Sequence, residues 1–238
     1  MKLDILVFAV HPDDAELGCS GTILKHIAEG KKVGIVDFTR GELGTRGTAD
    51  TRDQEANDSG KILGLHAREN LKFKDGFFKN DETHQLEVIK MVRKYKPEII
   101  LTNALHDRHP DHGRAENLAN DAIFLAGLIK VETSLDGVKQ EAWRPRLTLQ
   151  YIQDSYIKPD IIVDITDFID KKLASIRAFK TQFDSPDTKE PQTYISSPAF
   201  LEAVIARSKE FGKSIGAQHG EGFTSRKLLG VASLFDLK

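Results

Sequence analysis

Two kinds of hydrophobic pattern alternate along the chain. Short apolar runs with β-branched residues occur at residues 3–10 (LDILVFAV), 32–39 (KVGIVDFT) and 98–103 (EIILTN), and these, with the shorter stretch 69–73 (ENLKF), predict strands. Residues 15–30, 52–64, 84–97 and 114–129 instead space their apolar residues by three or four, which predicts helices. Gly30 and Gly64 supply helix stops, and Pro97 ends the third helix. Further along, residues 146–153 and 160–165 predict strands, and residues 171–183 and 198–216 predict helices. The polar segments 40–51, 104–113 and 184–198 are expected to be loops. No linker or solenoid-period repeat interrupts the pattern, so residues 1–238 are expected to form one domain.

Alternating strands and helices imply an α/β fold of Rossmann-like type, a mostly parallel sheet flanked by helices. Ligands in such sheets bind at the carboxyl ends of the strands. Two such ends carry unusual residues. His11-Pro12-Asp13-Asp14 follows the first strand, and His109-Pro110-Asp111-His112 follows the fourth after a short loop.

Composition narrows the classes of function. The chain has 238 residues, 39% hydrophobic and 29% charged, with a formal net charge of -2, as expected of a soluble globular protein with no nucleic-acid partner. A single cysteine rules out an intramolecular disulfide and suggests a reducing compartment. The N-terminal run MKLDILVFAV is too short to span a membrane and lacks a small-residue cleavage site, so a cytoplasmic protein with no membrane partner is expected.

The two tetrapeptides supply metal-ligand residue types at their first and fourth positions. A catalytic zinc takes three protein ligands from His, Asp and Glu and keeps one position open. A proline at the second position favours a turn that lets the flanking side chains converge. His11, Asp14 and His112 fit the ligand set. Asp13 is then a carboxylate beside the metal and a candidate general base. His109 is left for the substrate side, with Asp111 a candidate orienting partner. The competing reading is helix capping, because Asp13-x-x-Glu16 resembles a capping box. Capping explains neither His11 nor the second copy. His26, His66, His84, His106 and His219 carry no comparable pattern. Arginines gather in the same loops: Arg40, Arg46, Arg52, Arg108 and Arg114. Arg52, Arg46 and Arg108 are candidate contacts to an anionic substrate group, since a guanidinium binds carboxylates in a bidentate fork.

In order along nearly the whole chain, AVHPDDAELG, RGELGTRGT, DRHPDHGRA and GEGF resemble the LmbE-like (PIG-L) N-acetylglucosamine deacetylases. Within that family the sequence is most similar to the bacillithiol-pathway enzymes acting on N-acetyl-α-D-glucosaminyl L-malate. The resemblance implies His11, Asp14 and His112 as ligands of Zn2+ (or another divalent metal), Asp13 as base, and His109 supported by Asp111. It implies a small sugar conjugate with an anionic aglycone as substrate. Some family members use a mobile-loop tyrosine, which places Tyr194 among the candidate substrate contacts. A homo-oligomer is expected. One rival, a dinucleotide-dependent oxidoreductase, needs G-x-G-x-x-G after the first strand, where this chain has H-P-D-D. The other, a structural zinc module, is disfavoured by the single cysteine.

Overall fold

A computed structural model describes residues 1–183 and 189–237. Residues 184–188, part of the expected loop 184–198, lie outside the described residues. The first half follows the sequence pattern closely. Strand β1 is Ile5–Ala9, β2 Val33–Thr39, β3 Ala67–Phe73 and β4 Ile99–Thr102; helix α1 is Asp14–Ala28, α2 Ala49–Leu63, α3 Glu82–Tyr95 and α4 Pro110–Ala126. A short hairpin, β5 Ser134–Leu135 and β6 Val138–Lys139, turns on Asp136-Gly137, both with positive φ. Then come β7 Leu147–Tyr151, β8 Ile161–Asp164, α5 Ile169–Arg177, α6 Pro198–Ser214 and β9 Gly220–Thr224.

Seven strands form one sheet in the order β3-β2-β1-β4-β7-β9-β8. The pairings among β3, β2, β1, β4 and β7 are parallel, and β9 alone runs antiparallel, between β7 and β8. The sheet is therefore the mostly parallel, helix-flanked arrangement that the pattern implies.

Alternation along β1 explains the layering. Leu6, Phe8 and Val10 pack towards α3 and α4 with Phe38, Val92 and Leu118. Ile5, Val7 and Ala9 face the other way, against Ala15, Ile23 and Leu24 of α1. Strand order reverses between β1 and β4, so the tetrapeptides after these two neighbours meet at the topological switch point.

Three elements depart from the expected boundaries for identifiable reasons. Helix α2 begins at Ala49 because Thr48 caps it, with its side chain accepting from Thr51 N and the Thr51 hydroxyl returning to Thr48 N. Helix α4 begins at Pro110 rather than near residue 114, because proline fits the first helical position and the His109 ring caps the turn. The GEGF segment, to which the pattern assigns no element, is a strand. Its glycines permit close approach: a Cβ on Gly220 would lie 2.6 Å from Ile162, and one on Gly222 2.8 Å from Phe211.

The same logic operates at Gly18, where a Cβ would lie 2.3 Å from the buried Tyr151 ring. Gly18→Ala improves helix propensity by about 1 kcal/mol, yet overpacking costs about 1–3 kcal/mol. Urea unfolding is expected to show net destabilisation. A stabilised variant would contradict the close α1–β7 packing.

Candidate metal centre

The two tetrapeptides are brought together at the ends of β1 and β4. The rings of His11, His109 and His112 place ligand atoms within 4.8 Å of one another. Asp14 lies between two of them: Oδ2 is 3.6 Å from His11 Nδ1, and Oδ1 is 3.2 Å from His112 Nε2. The predicted set His11, Asp14 and His112 therefore converges, with the His109 ring 4.8 Å from that of His11, centroid to centroid.

Further contacts fix which atoms face the centre. His112 Nδ1 is 2.7 Å from Asp107 Oδ2. That carboxylate also accepts from the backbone N–H groups of Arg108, Asp154 and Ser155. Burial opposes ionisation of Asp107, but its bonds to His112 and these amides hold its pKa well below the usual range. An ionised Asp107 draws the imidazole proton to Nδ1 and leaves the Nε2 lone pair towards Asp14. His11 is arranged in mirror fashion: Nε2 sits 3.0 Å from Asp75 Oδ1, which leaves Nδ1 towards Asp14. Carboxylate–imidazole pairs of this kind orient metal-binding histidines. Asp14 is fixed by donors from His11 N, Asn103 Nδ2 and Gln153 Nε2.

The electrostatics favour a cation. Burial lowers the pKa values of His11 and His112, but neighbouring carboxylates outweigh it. His11 is raised well above its ordinary value by Asp111, Asp14 and Asp75, and His112 is pushed up to about 9 by Asp14 and Asp107. A field that holds protons on two histidines stabilises positive charge, and a divalent metal supplies it while replacing those protons. The donor set, two imidazoles and a carboxylate, suits zinc and its first-row neighbours.

Asp13 occupies a different environment. Its backbone holds a φ of 128°, a strained conformation for a residue with a side chain. The turn is clamped by Arg52, whose Nη2 donates to Pro12 O and, at 2.9 Å, to Asp13 Oδ2. Burial raises the Asp13 carboxyl to about 7, against the opposing pull of Arg52. Asp13 makes no side-chain cap bond to α1. The capping reading thus leaves its carboxylate unexplained.

His109 Nδ1 accepts from the backbone N–H of Asp111, so in the neutral ring the proton sits on Nε2. Burial, and then the charges of His11 and His112, lower its pKa and keep it neutral. The Asp111 carboxylate itself accepts from Gly76 N and Arg114 Nη1 and lies 3.6 Å from His11 Nε2. Its link to His109 is through the main chain.

A cavity of about 350 Å³ opens over the centre. His11, Asp13, Asp14, Arg52, Asp75, Arg108, His109, His112 and Tyr194 line it. At its mouth the Arg108 guanidinium stacks over the Tyr194 ring at 4.5 Å, and both bond to the Asp154 carboxylate at 3.0 Å. Arg207, on α6, donates to the Asp154 carbonyl. Arg46 is not part of the wall. It is buried, with Nε 3.6 Å from Glu190, and neither Nε nor Nη2 donates a hydrogen bond to a described residue. His219 bonds to Ser208 and stands outside the cavity lining.

Sequence reasoning missed Asp75, Asn103, Asp107, Gln153, Asp154 and Arg207. A usable signal existed for some: Asn103 and Gln153 sit just past the ends of β4 and β7, and Asp107 lies in the loop leading to the second tetrapeptide. Asp75 and Arg207 carry none.

Residues 6–123 match the model of the PIG-L family, described as GlcNAc-PI de-N-acetylase. The structure is similar to that of the conserved protein TT1542 from Thermus thermophilus, with a TM-score of 0.85 and 35% identity over 97% of this chain and 98% of that one. A diacetylchitobiose deacetylase of Thermococcus kodakarensis is 28% identical over 231 residues, 92% of this chain and 81% of that protein. A probable N-acetyl-alpha-D-glucosaminyl L-malate deacetylase 2 of Bacillus subtilis is 25% identical over 200 residues, 76% of this chain and 84% of that protein. Among the described residues, no helix is long and apolar enough to cross a membrane.

Replacing Asp107 by Asn removes the charge that holds the His112 proton on Nδ1. Zinc affinity is expected to fall by about 10–100-fold, read by competition with a chelating indicator. Unchanged affinity would contradict the role given to Asp107.

Proposed function

The chain belongs to the PIG-L family, and on that premise we propose that it hydrolyses the acetamide of an N-acetylglucosaminyl compound, releasing acetate and a free amine. The observation that carries this reading is the buried Asp13 carboxylate, raised to about 7 and standing beside a convergent two-histidine, one-carboxylate cluster. His11, Asp14 and His112 would hold a divalent metal, with zinc the candidate. Such a metal supplies Lewis-acid polarisation of a carbonyl and makes a water nucleophilic near neutral pH.

The chain's own groups account for the proton movements. A carboxylate with a pKa near neutrality is suited to take the proton of the attacking water and later give it up. Arg52 fixes one Asp13 oxygen and leaves the other for that exchange. Neutral His109, with its proton on Nε2, donates a hydrogen bond to charge developing on the acetyl oxygen. The proton that Asp13 takes from the water is then available to the departing amine.

We further propose an anionic aglycone, with N-acetyl-α-D-glucosaminyl L-malate the leading candidate. Among the described residues, Arg108 and Arg207 present two guanidinium groups at the mouth beside the Asp154 carboxylate, and their N–H donors are suited to an anion.

The test is release of free amine from N-acetylglucosaminyl malate and from neutral N,N'-diacetylchitobiose, measured side by side. Higher kcat/KM for the malate conjugate is expected, with Arg207→Ala narrowing the gap by raising KM for malate alone. Equal use of both substrates would remove the anionic aglycone and leave the deacetylase reading standing. Asp13→Asn is expected to retain the metal and lower kcat by about 100-fold or more. Near-wild-type turnover in that variant would remove Asp13 as the base.

A further inference from the structure

The Gly220-Glu221-Gly222-Phe223 strand takes no part in the centre described above, yet its glutamate is buried and reaches helix α1. That helix is broken at Cys19, where φ is -146° and ψ is 16°. In a continuous helix the N–H groups of Gly21 and Thr22 would bond to the carbonyls of Leu17 and Gly18. Instead Glu221 Oε1 accepts from Gly21 N at 2.9 Å, and Oε2 from Thr22 N at 2.7 Å. On the other side of the break, Lys172 Nζ donates to the carbonyls of Glu16 and Leu17 at 2.9 and 2.8 Å. The same ammonium donates to Glu221 Oε1 at 2.8 Å, which closes the arrangement. A buried ion pair from α5 and β9 has been inserted into the hydrogen-bond ladder of α1.

An unbroken helix would satisfy these backbone groups without burying two charges. Buried ion pairs are poor sources of stability compared with apolar packing of the same volume. What the break does is separate residues 14–18 from the rest of α1, so that this short segment takes its own direction. The segment starts at Asp14, directly after Asp13. Its Glu16 side chain is tied down separately, by Ser59 at 2.6 Å and Arg68 at 2.6 Å.

We propose that Lys172 and Glu221 are positioning residues: by holding the break in α1 they set Asp14 towards the histidines of the centre and Asp13 towards the reacting acetamide. The proposal rests on the deacetylase reading, and its test includes a readout that needs no substrate. Cobalt(II) loaded in place of zinc reports ligand geometry through its visible absorption. Lys172→Met is expected to lower kcat by about tenfold or more, because small displacements of reacting groups are costly. KM should stay within about twofold, since no substrate contact is lost. The cobalt spectrum should change at the same time. Lys172→Arg keeps donors for the carbonyls and for Glu221, and it should recover most of the turnover and the spectrum. Glu221→Gln, which keeps the side-chain volume, is measured in parallel and is expected to behave like Lys172→Met. It carries the same comparison if Lys172→Met fails to fold. Folded variants with a lowered Tm but wild-type kcat and cobalt spectrum would overturn the proposal and leave the pair a purely structural role. Wild-type protein that binds cobalt but releases no amine would count against the deacetylase reading, and the spectral comparison would still decide the positioning role.

Discussion

Negative charge gathered at one edge of the sheet is the constraint on which the rest of the site depends. The carboxylates of Asp13, Asp14, Asp75, Asp107 and Asp111 crowd around His11, His109 and His112. Ionised carboxylates packed this closely in a buried site require compensating positive charge. Arg52 and Arg114 supply part of it from the periphery, at Asp13 and Asp111. At the centre the compensation falls on His11 and His112, whose raised pKa values express the same demand. A divalent cation held by Asp14 and the two imidazoles would satisfy it. The carboxylates then divide by position. On the proposed reading Asp14 would face the cation, Asp75 and Asp107 would orient the imidazoles that hold it, and Asp13, bonded to Arg52, would be left to exchange a proton.

The fold makes this crowding tolerable. Parallel strands β1 and β4 end side by side, and each is followed by a helix start, where backbone N–H groups and the helix dipole favour negative charge. Apolar layers on both faces keep those strand ends rigid. Farther back, Arg68 bridges Glu16 and Asp37, so α1, β2 and β3 are tied together behind the site. The Lys172–Glu221 insertion adds α5 and β9 to the same frame. The buried polar groups are therefore a connected support running from the back of the sheet to the reacting edge.

The parts of this arrangement legible in the sequence were those that repeat or alternate. Apolar runs of period two, interleaved with helical spacing, specify the parallel core. Two tetrapeptides of the same type at two strand ends mark the place where His11, Asp14, His109 and His112 gather. Asp75 and Arg207 were illegible because each is a single residue brought in by tertiary packing, with no local pattern. The β9 strand was hidden because Gly220 and Gly222 lower strand propensity while serving close packing. The break in α1 leaves the amphipathic spacing intact, so the sequence reads as one helix; only the partners of Gly21 and Thr22 reveal it. Arg46 shows the opposite error. Proximity in sequence to Arg52 suggested a place at the mouth, but its guanidinium is buried beside Glu190.

Every role proposed for these groups depends on a single cation joining them into a working site. The most direct measurement is a titration of chelator-treated protein with zinc while acetate release from N-acetylglucosaminyl malate is followed. Activity absent from the stripped protein, rising linearly and reaching a plateau at one equivalent of metal, is the predicted result. Undiminished activity after complete removal of metal would contradict it.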